Sequence, residues 1–286
     1  MAVVNTNVNA SIAQNALARN ERAMNTAMER LSTGQRINSA SDDAAGLAIG
    51  SRMTSQIRGL ETGIRNANDA ISMISTADGA LIEVTNMLQR MRELALQASN
   101  GTTTSADRAY LSSEYANLLS EIDRIAENTQ WNGKTILNHI TDGSSTFNYQ
   151  VGANGGQTVG VNFGNLTNTV SGVFTELTAS HATITSTTTA SAITQGTSAV
   201  VAVDAAITAV NSQRATFGAA MNQLTYAVDN LSNVKVNAEA SRSRIMDANY
   251  AEETSELART QIISQAGTAM LAQANQLPQT VLSLLQ

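Results

Sequence analysis

The chain has 286 residues, enough for one large or two modest domains. Its formal charge is −6, with two lysines (Lys134 and Lys235) against fifteen arginines and no basic block, which excludes a nucleic-acid or anionic-membrane footprint. Cysteine is absent, so disulfides, thiolate metal sites and cysteine nucleophiles are excluded as well.

No run of about eighteen apolar residues offers a bilayer span. The start, Met-Ala-Val-Val-Asn-Thr-Asn, lacks the charged and apolar regions of a cleaved signal peptide, so the chain is expected to stay in the cytoplasm or to leave by another route. Aromatic residues make up 3% of the chain, with none before Tyr110 and none after Tyr250. The two ends set Ala, Leu, Ile, Met and Val among Asn, Gln, Ser and Thr, giving thin apolar faces that bury little area alone.

Residues 3–31 place Val3, Ala10, Leu17, Met24 and Leu31 at steps of seven, with Ala13, Asn20 and Ala27 as weak companions and Val8, Ile12 and Met28 widening the stripe. This predicts a long amphipathic helix with a marginal seam. The pattern stops near Leu31 to Gly34. A second begins after Ser39, Ser41 and Asp42, cap residues that carry negative charge for a first helical turn. Arg36, Ile37 and Asn38 form the joint between them.

From about 42 to 99 the residues Ile57, Leu60, Ile64, Ala67, Ile71, Ile74, Leu81 and Leu88 alternate steps of three and four, and Val84, Met87, Met91 and Leu94 continue with a shifted stripe. A helix of that length extends roughly 85 Å and suits a bundle or rod. Another helix is predicted over about 105–128, opened by Ser105 and Asp107. Trp131 then plugs a turn onto the bundle. Phe147–Val151 and Val159–Phe163 alternate with period two around Ala153-Asn-Gly-Gly, a β-hairpin.

Residues 143–203 carry a single charged side chain, Glu176, and twelve of the twenty-one residues over 178–198 are Ser or Thr. That composition predicts a small exposed excursion. Helical order is expected again from Val200, with Val203, Val210, Phe217, Leu224 and Leu231 in one heptad line. The last segment repeats the first in character: Ile263, Met270, Leu277 and Leu284 at sevens, with Ala266, Ala274 and Val281 beside them. Pro278 should kink this helix or end it early.

A coiled coil needs a partner, so 1–33 is paired with 250–286 and 42–128 with 200–245. The fold class is mainly α, a long-helix coiled-coil bundle with a small β-hairpin region and nested, discontinuous domains. No catalytic, cofactor or metal constellation is present: there is no His-Glu-x-x-His, no phosphate-binding glycine loop and no Gly-x-Ser-x-Gly. His139 and His181 read as surface residues. Gln89-Arg-Met-Arg-Glu-Leu94 reads on spacing as a solvated helix face or an interaction surface.

Residues 31–49, Leu-Ser-Thr-Gly-Gln-Arg-Ile-Asn-Ser-Ala-Ser-Asp-Asp-Ala-Ala-Gly-Leu-Ala-Ile, closely resemble the N-terminal signature of bacterial flagellin. Ile64-Arg-Asn-Ala-Asn-Asp-Ala-Ile71, Glu121-Ile-Asp-Arg-Ile-Ala-Glu, Trp131-Asn-Gly-Lys and the ending Ala274-Asn-Gln-Leu-Pro-Gln-Thr-Val-Leu-Ser-Leu-Leu285 are similar to the same family. Together the likeness spans about 1–140 and 198–286.

The resemblance implies a self-assembling structural subunit of the extracellular flagellar filament, used for swimming, with no enzymatic activity and no cofactor. It implies an inner-tube domain, D0, over 1–44 and 246–286. It also implies a shell domain, D1, over 45–175 and 198–245 with the hairpin at about 135–170. The excursion is then 176–197, without a large outer domain.

Export unfolded through the flagellar type III apparatus is implied, with a cytoplasmic export chaperone on the C-terminal segment around Ile263, Met270, Leu277, Val281, Leu282, Leu284 and Leu285. Flagellar cap and hook-associated proteins are further implied partners. Gln89, Arg90, Leu94 and Glu114 correspond to a surface used between subunits and by a host Toll-like flagellin receptor. At the joint, Arg36, Asp42 and Asp43 are candidates for polar contacts in assembly. Alternatives are a hook–filament junction protein of the same machinery, and a secreted coiled-coil adhesin or effector that does not polymerise.

Overall fold

The structure, a computed structural model, describes residues 7–138, 146–166 and 189–283. Among these are five helices: α1 (Val8–Thr33), α2 (Ala44–Ala98), α3 (Ser105–Asn128), α4 (Thr189–Met246) and α5 (Tyr250–Ser283). Two short antiparallel ladders lie between α3 and α4. Strand β1 (Gln130–Trp131) pairs with β2 (Lys134–Thr135) across the Asn132-Gly133 turn, where both residues have positive φ. Strand β3 (Thr146–Gln150) pairs with β4 (Thr158–Asn162), placing Phe147 opposite Val161 and Tyr149 opposite Val159.

Packing divides the chain into two compact units. The first spans residues to Ile57 and from Val236, and the second spans Arg58–Lys235. Both divisions fall inside helices, α2 and α4. The D0 and D1 boundaries expected at 44/45 and 245/246 coincide instead with the start of α2 and the end of α4.

In the second unit, α2 and α4 run antiparallel, tied by Glu61–Lys235, Asp78–Arg214 and Arg92–Asp204 at 2.7, 2.8 and 2.6 Å. Between them lie Ala67, Ile74, Leu81, Leu88 and Met91 of α2 with Val203, Val210, Phe217 and Leu224 of α4, all fully buried. From Ile193 to Met246 the chain is long and apolar enough by composition to cross a bilayer. Its heptad apolar positions up to Leu224 are core positions of the bundle. Helix α3 adds Tyr115, Ile122 and Ala126, and Trp131 packs partly buried against the same core.

The β3–β4 hairpin sits on α2 through glycine. A Cβ on Gly63 would lie 2.7 Å from the Val151 carbonyl oxygen, and one on Gly59 would lie 3.1 Å from Ala153 Cα. Asn66 Nδ2 donates to the Gln150 carbonyl at 2.9 Å, anchoring the strand end.

The structure departs from the sequence reading at the start of α4. Helix α4 begins at Thr189, inside the Ser/Thr-rich stretch, rather than at Val200. Close packing makes the difference: a Cβ on Gly196 would meet Ser99 Oγ and the Ala95 carbonyl of α2, so small residues let the two helices approach. The part of the excursion before Thr189 lies outside the described residues, as do His139 and His181. At Pro278 the helix does not end: α5 continues through it to Ser283. Proline has no N–H for the Ala274 carbonyl one turn earlier. Asn7 Nδ2 of α1 donates to that carbonyl at 2.8 Å.

Candidate functional site

Helices α1 and α5 of the first unit lie antiparallel, and their seam is polar. Asn20, at a core position of α1, donates from Nδ2 to the Thr260 carbonyl at 2.7 Å. Arg30 Nη1 meets Glu253 Oε1 at 3.0 Å, with Glu253 only 8% exposed. Asn7 caps α1 by accepting from the Ala10 N–H while donating to Ala274. The remaining seam positions are small or partly buried: Ala10, Ala13, Leu17 and Ala27 on α1, Leu257, Gly267 and Leu271 on α5. On α1 this is the predicted seam with its companions.

On α5 the seam is a different one. Ile263 and Met270, expected to face α1, are turned outward at 44% and 66% exposed, beside Ile262 at 67%. Val8, Ile12 and Met28 of α1 are likewise exposed. A seven-residue step occurs on several faces of such a helix, and the face carrying Glu253, Thr260 and Gly267 is the one whose size and polarity match Asn20 and Arg30. The pair therefore sets Asn20, Thr260, Glu253 and Gly267 in its seam beside Leu17, Leu257 and Leu271, with Ile12, Met28, Ile262 and Met270 turned outside. Leu277, Val281 and Leu282 belong to α5, with side chains outside the described residues, as are Leu284 and Leu285.

The joint is built within the chain. Arg36 N–H donates to the Met246 carbonyl at 2.7 Å and its Nη2 to the Ile245 carbonyl at 2.8 Å, while Ala248 N–H donates to the Gly34 carbonyl at 3.0 Å. Gln35 and Asp247 form an antiparallel bridge between these bonds. The return segment thus meets the joint at Ile245 to Ala248.

Gly34 ends α1 at φ 71°, which a side chain would resist. Asp43 caps α2, its Oδ1 accepting from the Gly46 N–H at 2.9 Å. Asp42 accepts from the N–H groups of Ser39 and Asn38 and from the Ser39 hydroxyl, which hold its carboxyl below the usual aspartate range. Ile37 is buried beneath, against Gly46. Arg36, Asp42 and Asp43 are exposed, yet each already has partners in its own chain.

On α2, Gln89 and Arg90 are exposed. Arg90 is held by Glu93 and by Glu114 of α3 at 3.0 and 2.9 Å, and these hydrogen bonds raise its pKa. Leu94 is corrected out of this surface: at 1% exposed it is a core residue, because the shifted stripe of Met87, Met91 and Leu94 turns inward. Its neighbour Leu96 is the exposed leucine, which the stripe alone does not distinguish.

An open cleft of about 510 Å³ between α2 and the β3–β4 connection has Arg58 as the one titratable side chain among its lining residues. No acid–base pair stands there. The pieces that do stand out are a long bundle, an apolar-out terminal pair and a joint in which both chain segments cross together.

The family model for the bacterial flagellin N-terminal helical region matches residues 4–142, and that for the C-terminal helical region matches 200–285. The chain belongs to the bacterial flagellin family. It is 44% identical over 284 residues to the flagellin of Halalkalibacterium halodurans, covering 99% of this chain and 100% of that one. It is also 36% identical over 379 residues to flagellin A of Vibrio cholerae, covering 99% of each.

Among solved structures, the crystal structure of Bacillus cereus flagellin matches 58% of this chain and 88% of that one, with TM-score 0.50 and 31% identity. A flagellar hook-associated protein from Vibrio parahaemolyticus shares the fold at TM-score 0.58 and 15% identity, over 72% of this chain and all of that one. As a flagellin, the chain is a structural subunit of the flagellar filament and not an enzyme. Flagellins assemble as a homopolymer, and the filament they form is extracellular.

Proposed function

We propose that this flagellin polymerises through the outward apolar faces of its α1–α5 pair, which order as copies pack. The observation that carries the reading is the inversion of the pair. Ile12, Met28, Ile262 and Met270 are more than half exposed, while Asn20, Thr260 and Glu253 occupy the seam. A seam of mostly small and polar residues, with few leucines, contributes little stability to an isolated pair, whereas burying the outward side chains in a neighbour contributes about 1.5–3 kcal/mol each. Contacts of this kind between unlike faces extend without closing and give a helical tube.

In this reading the terminal pair is D0 and the bundle is D1, meeting at the 31–49 joint. Arg36, Asp42 and Asp43 act by shaping that joint. The exposed row Gln89, Arg90 and Glu114 serves subunit contact and the host Toll-like receptor. The C-terminal segment from Ile263 to Leu285 is the surface for a cytoplasmic export chaperone before type III export, and cap and hook-associated proteins meet the assembled ends.

Seeded growth tests it. Short filament seeds mixed with full-length chain should elongate under electron microscopy, and chain lacking 251–286 should add nothing. Elongation unaffected by that truncation would remove the proposal.

A further inference from the structure

The chain has ten methionines and no cysteine, so thioethers are the only sulfur it presents to an oxidant. The fold sorts them. Met73 and Met91 are core residues of the bundle, Met87 and Met221 pack against that core, and Met246 lies against Gly50. Two of these sulfurs also accept from hydroxyls: Tyr149 Oη donates to Met73 Sδ at 2.8 Å and Ser75 Oγ to Met221 Sδ at 3.9 Å. Such a bond engages a sulfur lone pair, the group that an oxidant must reach.

Among the described residues, the exposed methionines are Met28 at 51% and Met270 at 66%. Both lie on the α1–α5 pair and neither on the bundle. The seam bonds Asn7–Ala274 and Asn20–Thr260 set an antiparallel register that brings Met270 level with the turn of α1 carrying Ile12, one heptad beyond Ile263 on its own helix. Met28 stands at the other end of the pair, beside the turn where Arg30 meets Glu253. The methionines open to solvent are thus the ones that growth of the polymer would bury between copies.

A hydroperoxide oxidises such a thioether by accepting a sulfur lone pair at oxygen. The S–O bond forms as the O–O bond breaks; sulfur loses two electrons and the peroxide leaves reduced, as water or an alcohol. The sulfoxide is polar where the thioether was apolar, and its oxygen must stay hydrated or find a donor, so it resists burial in an apolar contact.

We infer that Met28 and Met270 form an oxidation switch on the assembly faces: a hydroperoxide converts both to sulfoxides in the free chain, and the oxidised chain no longer adds to the polymer. The switch rests on growth through the outward faces of the pair. It is reversible, since a methionine sulfoxide reductase removes the oxygen as water while two thiols become a disulfide. The bundle encloses its own methionines and keeps its fold in both states, and the polymer shields Met28 and Met270 once they are covered.

Full-length chain given a limiting dose of hydrogen peroxide tests this, with sulfoxides mapped by peptide mass spectrometry and seeded elongation followed by electron microscopy. Met28 and Met270 should oxidise first, elongation should slow several-fold with an unchanged circular dichroism melt, and reductase with thiol should restore growth. Both sites should oxidise several-fold more slowly in assembled filaments. Met28→Leu/Met270→Leu chain, which stays apolar, should elongate at the untreated wild-type rate with or without peroxide. Untreated chain lacking 251–286 separates two failures. If it elongates, growth does not run through α5 and the switch has nothing to act on. If it adds nothing, the switch alone is overturned by wild-type chain that carries both sulfoxides and still elongates at the untreated rate. An equal loss of growth in the leucine chain, or oxidation of Met73 or Met91 ahead of Met28 and Met270, overturns it as well.

Discussion

Asn7 uses both ends of one amide: its oxygen caps α1 and its nitrogen takes the Ala274 carbonyl that Pro278 leaves without an N–H partner. Asn7→Ala should therefore cost about 0.5–2 kcal/mol for the cap, with a further loss from the orphaned carbonyl. In a Pro278→Ala background, where the helix supplies its own N–H, that further loss should vanish. Thermal depolymerisation of filaments of the four chains measures the coupling.

Asp42 makes a pH-dependent contribution of predictable sign. Its folded pKa is depressed, so its stabilising effect on the joint is fully present above the unfolded aspartate value of about 3.9 and is lost as pH falls through the lower folded value. Asp42→Asn should destabilise at neutral pH, with the difference from wild type closing below pH of about 4 in denaturation curves. On α2, Leu94→Ala should cost about 2–5 kcal/mol by opening a core cavity. Gln89→Ala should stay within about 0.5 kcal/mol in the same urea titration.

At the scale of elements, the sequence pattern located the bundle well because its helices bury large side chains at heptad steps. Helix α3 runs from Ser105 to Asn128 as its caps and stripe imply, and Val203, Val210, Phe217 and Leu224 are the core line of α4. The hairpin followed from its period of two. The start of α4 was not legible, since Ser and Thr resemble loop and only the approach of Gly196 to α2 rewards helix there. Nor was the face of α5. Its apolar stripe is the stronger signal in sequence, yet the pairing follows the polar complement of Asn20 and Arg30.

The same polarity sets a prediction for the pair as a unit. Asn20→Leu removes a buried polar group from the seam and should raise the helix content of the free chain, seen by circular dichroism, and shorten the lag before unseeded polymerisation. An unchanged lag would show that seam polarity does not restrain assembly. At the hairpin seat, Gly63→Ala should cost about 1–3 kcal/mol, because its Cβ enters the Val151 backbone.

For the whole molecule, two kinds of packing serve two ends. The Arg58–Lys235 unit encloses its own core and is expected to hold its shape in the free chain. The terminal pair leaves Ile12, Met28, Ile262 and Met270 outward, where in the proposed filament another copy covers them. Limited proteolysis of free chain should trim both ends quickly to a core near 45–245, and polymerisation should protect them.

The central claim, that the outward face of α5 drives growth, is tested most directly by seeded elongation of Ile262→Asn/Met270→Asn chain. Both side chains are exposed on the α1–α5 pair, so the circular dichroism melt of the free chain should match wild type. The account predicts that elongation from wild-type seeds stops or slows at least tenfold. Elongation at the wild-type rate would contradict it.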